Sequence, residues 1–310
     1  MTSSAIFTLG ARGSPLALAQ ANEARRRLAE AHGWEIERIT LRVIRTTGDR
    51  IQDRPLAEAG GRGLFTKEID AALLAGTIDA AVHSAKDVPS LMPDGVVVSA
   101  CLPREDVRDA LISTLADTIE GLPLGATFGA ASLRRQAQAL RLRPDLKPAL
   151  LRGNVETRLA KAESGAVGAT MLALAGLKRL GLAHRARAVL DVDTFLPAPG
   201  QGAIAITARS ADPRALKALQ AISDAATMGA ITAERAFLAE LEGSCRTPIA
   251  GLARLEAGRL RLMGEVLRPD GSERFDVVAE GAPADAERLG REAGRDLVAR
   301  LPEGVLVRAR

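Results

Sequence analysis

The chain has 310 residues, of which 47% are hydrophobic, 26% charged and only 2% aromatic, with no tyrosine. That length allows two or three domains, each burying a core of its own, and so few rings exclude a nucleic-acid surface built on stacked bases. The 42 basic and 38 acidic residues leave a net charge of +4, too balanced for a non-specific polyanion binder, so the positions of the arginines matter more than their number.

Taken in chain order, the pattern predicts a strand over 6–11, a helix over 15–31, a strand over 35–45, a helix over 67–76, and strands over 78–83 and 96–101. Beyond Leu102-Pro103-Arg104-Glu105-Asp106 it predicts strands over 110–113, 127–130, 149–152 and 169–174, with helices from Leu133, Val155 and Ala175. This alternation reads as parallel sheets with helices on both faces. Pro197-Ala198-Pro199-Gly200-Gln201-Gly202 interrupts it before a strand over 203–208. A helix over 224–242 follows, then strands over 252–256, 260–267 and 274–279 and a helix over 285–300, a small α+β unit with an antiparallel meander. The first residues lead straight into a strand, without a charged stretch and long apolar run, and nothing further on could span a bilayer. A cytoplasmic protein is the expectation.

Three predicted strand–helix junctions carry arginines beside N-capping residues. They are Arg12-Gly13-Ser14-Pro15, Ser132-Leu133-Arg134-Arg135, and Arg152-Gly153-Asn154-Val155 continuing to Arg158. Cations in a first helical turn oppose the macrodipole, and an anion held by free N–H groups and guanidinium forks would offset that. A single arginine of this kind is ordinary surface. Five together point to a polycarboxylate or phosphate ligand at the carboxyl ends of the strands. No G-x-x-x-x-G-K-[ST] run is present, which excludes a P-loop. Lys86 and Asp87 fall at another such end, where Asp87 can act as a general acid/base or as counter-charge to a cation; a turn aspartate bonded to its own backbone is the plainer alternative. His83, on an apolar strand, reads as structural, and three histidines without H-E-x-x-H or paired cysteines give no metal site. Of the two cysteines, Cys245 lies in the loop Gly243-Ser244-Cys245-Arg246-Thr247-Pro248, where the adjacent cation favours a thiolate.

These runs, with Gly60-Gly61-Arg62-Gly63-Leu64-Phe65, Ala81-Val82-His83-Ser84-Ala85-Lys86-Asp87-Val88-Pro89, Ala175-Gly176-Leu177-Lys178-Arg179 and Pro199-Gly200-Gln201-Gly202, resemble hydroxymethylbilane synthase, or porphobilinogen deaminase, in family order across nearly the whole chain. The resemblance implies an α/β fold of two doubly wound domains similar to periplasmic binding proteins around a cleft, plus a small C-terminal α+β domain with a three-stranded antiparallel sheet. Domain 1 would comprise 1–102 and 200–222, domain 2 103–199, and domain 3 223–310. It further implies a monomer that joins four porphobilinogen molecules into linear hydroxymethylbilane with loss of ammonia, on a dipyrromethane cofactor held as a thioether to Cys245. Asp87 is the implied catalytic residue. Ser84, Lys86, Asp87, Ser132, Arg134, Arg135, Arg152 and Arg158 would hold the cofactor, with Arg134 and Arg135 facing the thiol loop. Arg12, Ser14, Arg152, Arg158, Arg179 and Gln201 would hold substrate. The glycine-rich, charged segment 47–63 reads as a lid, with Arg62 and Phe65 turned to the cleft. Ala130-Ala131 stand where many members carry two hydroxyl residues. A two-lobed anion-binding protein without catalysis and a cysteine-dependent acyl-transfer enzyme are the alternatives; no histidine here stands in a recognisable partner motif for the thiol.

Overall fold

The structure is a computed structural model, and it describes residues 5–50, 63–241 and 247–306, apart from the side chain of Arg50. The first unit contains β1 (Phe7–Ala11), α1 (Pro15–His32), β2 (Ile39–Val43), the single turn α2 (Thr47–Arg50), α3 (Lys67–Leu74), β3 (Ala80–Ser84) and β4 (Val96–Cys101). The chain then crosses into β5 (Asp109–Ser113), β6 (Thr127–Gly129), α4 (Leu133–Leu142), β7 (Lys147–Ala149), α5 (Val155–Glu163), β8 (Ala169–Ala173), α6 (Leu174–Arg179) and β9 (Ala188–Val189). It returns to the first unit as β10 (Ile204–Arg209) and α7 (Pro213–Gln220). Last come α8 (Ala225–Glu240), β11 (Ile249–Glu256), β12 (Arg259–Leu267), β13 (Arg274–Gly281) and α9 (Ala286–Arg300).

The strands form three sheets, ordered β2-β1-β3-β10-β4, β7-β6-β8-β5-β9 and β11-β12-β13. The first two are mixed rather than parallel as expected: β10 runs antiparallel to β3 and β4, and β5 antiparallel to β8 and β9. These are the two strands that enter a sheet from the other lobe, with no crossover helix to reverse the chain first. Both large sheets are buried on both faces. Along β5, Leu111 packs with Phe128 and Met171 on one side, while Ala110 and Ile112 pack with Leu159 and Leu177 on the other. The third sheet lays one face on α8 and α9. Its other face, through Ala250 and Leu252, covers Val107, Val192 and Leu196 beside the crossings.

Local chemistry explains the well-read helix starts. Ser14 accepts the Ala17 N–H at 3.3 Å with Pro15 following, and Gly33 in the left-handed conformation closes α1. Asn154 caps α5 through the Thr157 N–H at 2.8 Å. The predicted strand over 35–45 begins instead as a 3-10 turn, Ile36–Arg38. The predicted strand over 149–152 is displaced to β7, Lys147–Ala149, and Leu150 beyond it is exposed. α7 was not anticipated, although Asp212 caps it and Pro213 opens it.

Packing of α8 against α9 depends on Gly290, where a Cβ would lie 2.1 Å from the Ala233 carbonyl oxygen. Backbone cannot rotate away as a side chain can, so Gly290→Val should force the helices apart. Overpacking of this kind costs about 1–3 kcal/mol, more than the small gain in helix propensity returns. Denaturant unfolding should show the loss; wild-type stability would contradict the packing argument.

Candidate active site

The site lies where the carboxyl ends of β1 and β3 face the first turns of α4 and α5. Arg12 follows β1. Its Nε donates to Asp49 Oδ1 at 3.1 Å and its Nη2 reaches the same carboxylate; its guanidinium carbon lies 4.2 Å from the centre of the Phe65 ring. Arg12 Nη1 stands 3.8 Å from Asp87 Oδ2. Burial works against ionisation of Asp49, but the Arg12 fork and the Thr46 hydroxyl hold its carboxyl below the usual range.

Lys86 and Asp87 occupy a 3-10 turn, Ala85–Asp87, directly after β3. Asp87 is 33% exposed at its side chain. Lys86 is exposed to solvent. Its Nζ donates to Gln201 Oε1 at 3.3 Å. Desolvation, then the Arg135 guanidinium, pull its ammonium down from 10.5 to about 8. Ser84 shares two hydrogen bonds with Gln20, at 2.9 and 3.2 Å. The turn is buttressed by the return crossing. A Cβ on Gly200, at φ 81°, would meet the Lys86 nitrogen at 2.7 Å, and one on Gly202, at φ 86°, the Glu105 oxygen at 2.4 Å. Only glycine permits either the conformation or the approach, which gives the Pro199-Gly200-Gln201-Gly202 run its physical meaning.

On the opposite wall, Ser132 caps α4 through the Arg135 N–H at 3.4 Å. Arg134 and Arg135 are 4% and 6% exposed, and both forks close on the fully buried Asp109. Arg134 Nη2 donates to Oδ2 at 2.8 Å, and Arg135 Nη2 and Nε donate to Oδ1 at 2.7 and 3.1 Å. Arg134 is further engaged by Gln138 and the Leu196 carbonyl at 2.8 and 2.9 Å. The expected grip of Arg134 on a ligand is thus occupied by protein. Arg152 is buried; Arg158 is half-buried and donates through Nε to the Gly153 carbonyl at 2.9 Å. Burial, then Arg135, lower Arg158 to about 10, with Arg152 pressing the same way and Asp87 opposing. Cations of both lobes therefore stand around the Asp87 carboxylate, with Asp49 beside Arg12. A surplus of this kind suits a polyanion.

Three expected site residues stand elsewhere in the network. Gln201 is fully buried, with both ends of its amide bonded inside the protein. Arg179 donates to the Gly202 carbonyl at 3.0 Å and pairs with Glu23 at 3.5 Å, which braces α6 against α1 and the return crossing. Ser14 serves as a helix cap. Cys245, Arg62 and most of the segment read as a lid lie outside the described residues; of that segment, 47–50 form the turn α2 rather than an open loop. His83 is buried against the Thr207 hydroxyl at 3.3 Å and lowered to about 4 by desolvation, as a structural histidine would be. Among the described residues no cluster of acids, histidines and cysteines could hold a metal, and no helix is long and apolar enough to cross a membrane.

The sequence reading missed Asp49, Asp109 and Glu234. A lone acid opening the apolar strand Asp109-Ala110-Leu111-Ile112 was the available signal for one of them.

Together these features set cations from two α/β lobes around the Asp87 carboxylate. Residues 7–217 match the family model described as porphobilinogen deaminase, dipyromethane cofactor binding domain, and residues 228–299 match the porphobilinogen deaminase C-terminal domain. The porphobilinogen deaminases of Nitrobacter hamburgensis and Nitrobacter winogradskyi are 57% and 58% identical to this chain, each over 96% of it and 94% of their own length. That of Paracoccus denitrificans is 54% identical, over 95% and 94%. Among solved structures, the methionine-binding protein MetQ aligns with 70% of this chain and 89% of its own at 14% identity and a TM-score of 0.45. The chain belongs to the porphobilinogen deaminase family, and it is an enzyme of tetrapyrrole synthesis.

Proposed function

We propose that this cleft joins four porphobilinogen molecules head to tail into hydroxymethylbilane, releasing ammonia, on a dipyrromethane held through Cys245. One arrangement carries the reading: the Asp87 carboxylate stands among Arg12, Lys86 and Arg158, which belong to both lobes. The donor set fits a dipyrromethane, whose acetate and propionate groups would meet the exposed Lys86 ammonium and the cations that face it across the site. When bound, the dipyrromethane supplies the free pyrrole end to which incoming units are added.

The remaining work belongs to the chain. Arg12 and Arg158 hold incoming carboxylates, Arg152 either ligand, and Lys86, Ser84, Ser132 and Arg135 those of the cofactor. Asp87 offsets the positive charge that develops on a pyrrole as ammonia leaves, and exchanges its proton. Arg134, Gln201 and Arg179 place these groups. Phe65, whose ring lies against the Arg12 guanidinium, flanks the entrance. Cys101, fully buried and pushed by burial up to about 12, has no thiolate to offer. The three sheets support the division into 1–102 with 200–222, 103–199 and 223–310, and the same reading takes the protein as a cytoplasmic monomer. The non-catalytic alternative loses its ground with family membership.

The test is the intact mass of the purified chain. An excess equal to two linked pyrrole units, mapped to the peptide holding Cys245, is expected. An unmodified chain, or the excess on the Cys101 peptide, would overturn the assignment.

A further inference from the structure

We propose that Asp109 is the positioning residue of this site: it fixes Arg135 directly and Lys86 through the side-chain amide of Gln201, so that one buried carboxylate sets where cations of both lobes stand. Asp109 opens β5, the first strand after the outward crossing, and is fully buried. Its Oδ1 accepts from Arg135 at 2.7 and 3.1 Å and from Gln201 Nε2 at 3.1 Å, and its Oδ2 from Arg134 at 2.8 Å. Gln201 belongs to the return crossing. Its Nε2 also donates to the Val107 carbonyl at 2.8 Å, while its Oε1 accepts from Lys86 at 3.3 Å. Chemistry fixes this amide orientation. Turned over, it would set an oxygen against a carbonyl and a carboxylate, and an NH₂ against an ammonium. A continuous donor–acceptor chain therefore runs Lys86–Gln201–Asp109–Arg135, from one lobe through the crossing to the other.

Charge gives the chain its function. Lys86 faces Arg135 and Arg134 from α4, which expel its proton, and Asp87 and Asp109, which retain it. Asp109 is held far below the carboxylate range despite its burial by Arg134, Arg135 and Lys86. A buried charge survives only when paired and hydrogen-bonded, and here the pairing fixes two guanidiniums and an ammonium at once. Loss of the Gln201 oxygen removes the acceptor of the ammonium, and loss of the Asp109 charge removes one of the two carboxylates that retain its proton. Its proton then leaves at lower pH.

The inference rests on the reading of Lys86 and Arg135 as carboxylate-holding groups, but its test does not. Trace acylation of the full-length protein with acetic anhydride, from pH 6 to 10, follows Lys86 by peptide mass spectrometry against the exposed Lys161. Wild type, Gln201→Met and Asp109→Asn are compared as purified. They are compared again with Cys245→Ser added, so that all carry the same modification. At pH 7 both substitutions should raise Lys86 labelling by about threefold, the gain in free amine for a fall of about half a pH unit in its midpoint. An unchanged Lys86 curve in Gln201→Met overturns the proposal, as does a lowered melting temperature without any movement of that curve. Should Asp109→Asn fail to fold, Gln201→Met decides alone, because it leaves the Asp109–arginine pairs intact. Unimpaired turnover in Lys86→Gln would instead sink the reading of the site and leave the labelling result standing.

Discussion

Asp87→Asn should lower turnover by about a hundred- to a thousandfold while the chain keeps its cofactor mass, the loss expected when one preorganised electrostatic group is removed. The fold gives no reason for collapse. The turn is held by backbone bonds, Ala85 N–H to the Ala203 carbonyl at 3.0 Å and Val88 N–H to Ala85 at 3.2 Å, and the side chain is one-third exposed. Asparagine keeps the shape and removes only the charge. That charge decides the matter, because its neighbours are Arg12 at 3.8 Å, Lys86 and Arg158. A pyrrole gaining positive charge in their midst is repelled on every side once the carboxylate is gone. A second consequence runs through Lys86, whose proton Asp87 helps retain; in Asp87→Asn the alkaline fall of activity should begin at lower pH. Steady-state kinetics with intact mass measures both, and turnover within tenfold of wild type would remove Asp87 from the centre of the reaction.

What could be read from the chain was local. Ser14-Pro15, Ser132 and Asn154 start helices where expected, because a cap and the turn it satisfies lie three residues apart. The C-terminal meander was legible because its turns, Ala257-Gly258 and Pro269-Asp270-Gly271-Ser272, are short and explicit. The direction of β5 and β10 was not, since an apolar strand has the same pattern whichever way its neighbours run. The arginines were legible as a group but not as individuals. Arg12 meets Asp49 from 37 positions away, Arg135 meets Asp109 from 26, and Arg104 meets Glu234 from 130. Such distances leave no periodic trace. Sequence could therefore place cations at strand ends without showing that Arg134 spends its fork on protein while Arg158 faces the cleft.

The longest of those separations supports the other large effect. Glu234→Gln should destabilise the protein by about 3–5 kcal/mol, the usual result of breaking a buried ion pair from one side. Glu234 lies on α8 and is fully buried. Its carboxylate accepts from Arg104 at 2.6 and 3.1 Å, from the Gly200 N–H at 2.6 Å and from the Ala253 N–H at 2.7 Å. Arg104 Nε in turn donates to the Gln201 carbonyl at 2.9 Å. One acid thus ties the outward crossing, the return crossing and β11 to a single helix. Glutamine fits the space, but its NH₂ would oppose donors already pointing at that position, and Arg104 would be left without a counter-charge. Arg104→Met should cost a similar amount by stranding Glu234. The double variant Arg104→Met with Glu234→Gln should recover part of it, since no buried charge then goes unpaired; that non-additivity separates the pair from two unrelated losses. Hydrogen exchange should localise the damage to 102–108 and 197–203, because those segments lose their common anchor. Single variants within about 1 kcal/mol of wild type, or losses that simply add, would show that the apolar contacts of Ala250 and Leu252 hold the crossings without the pair.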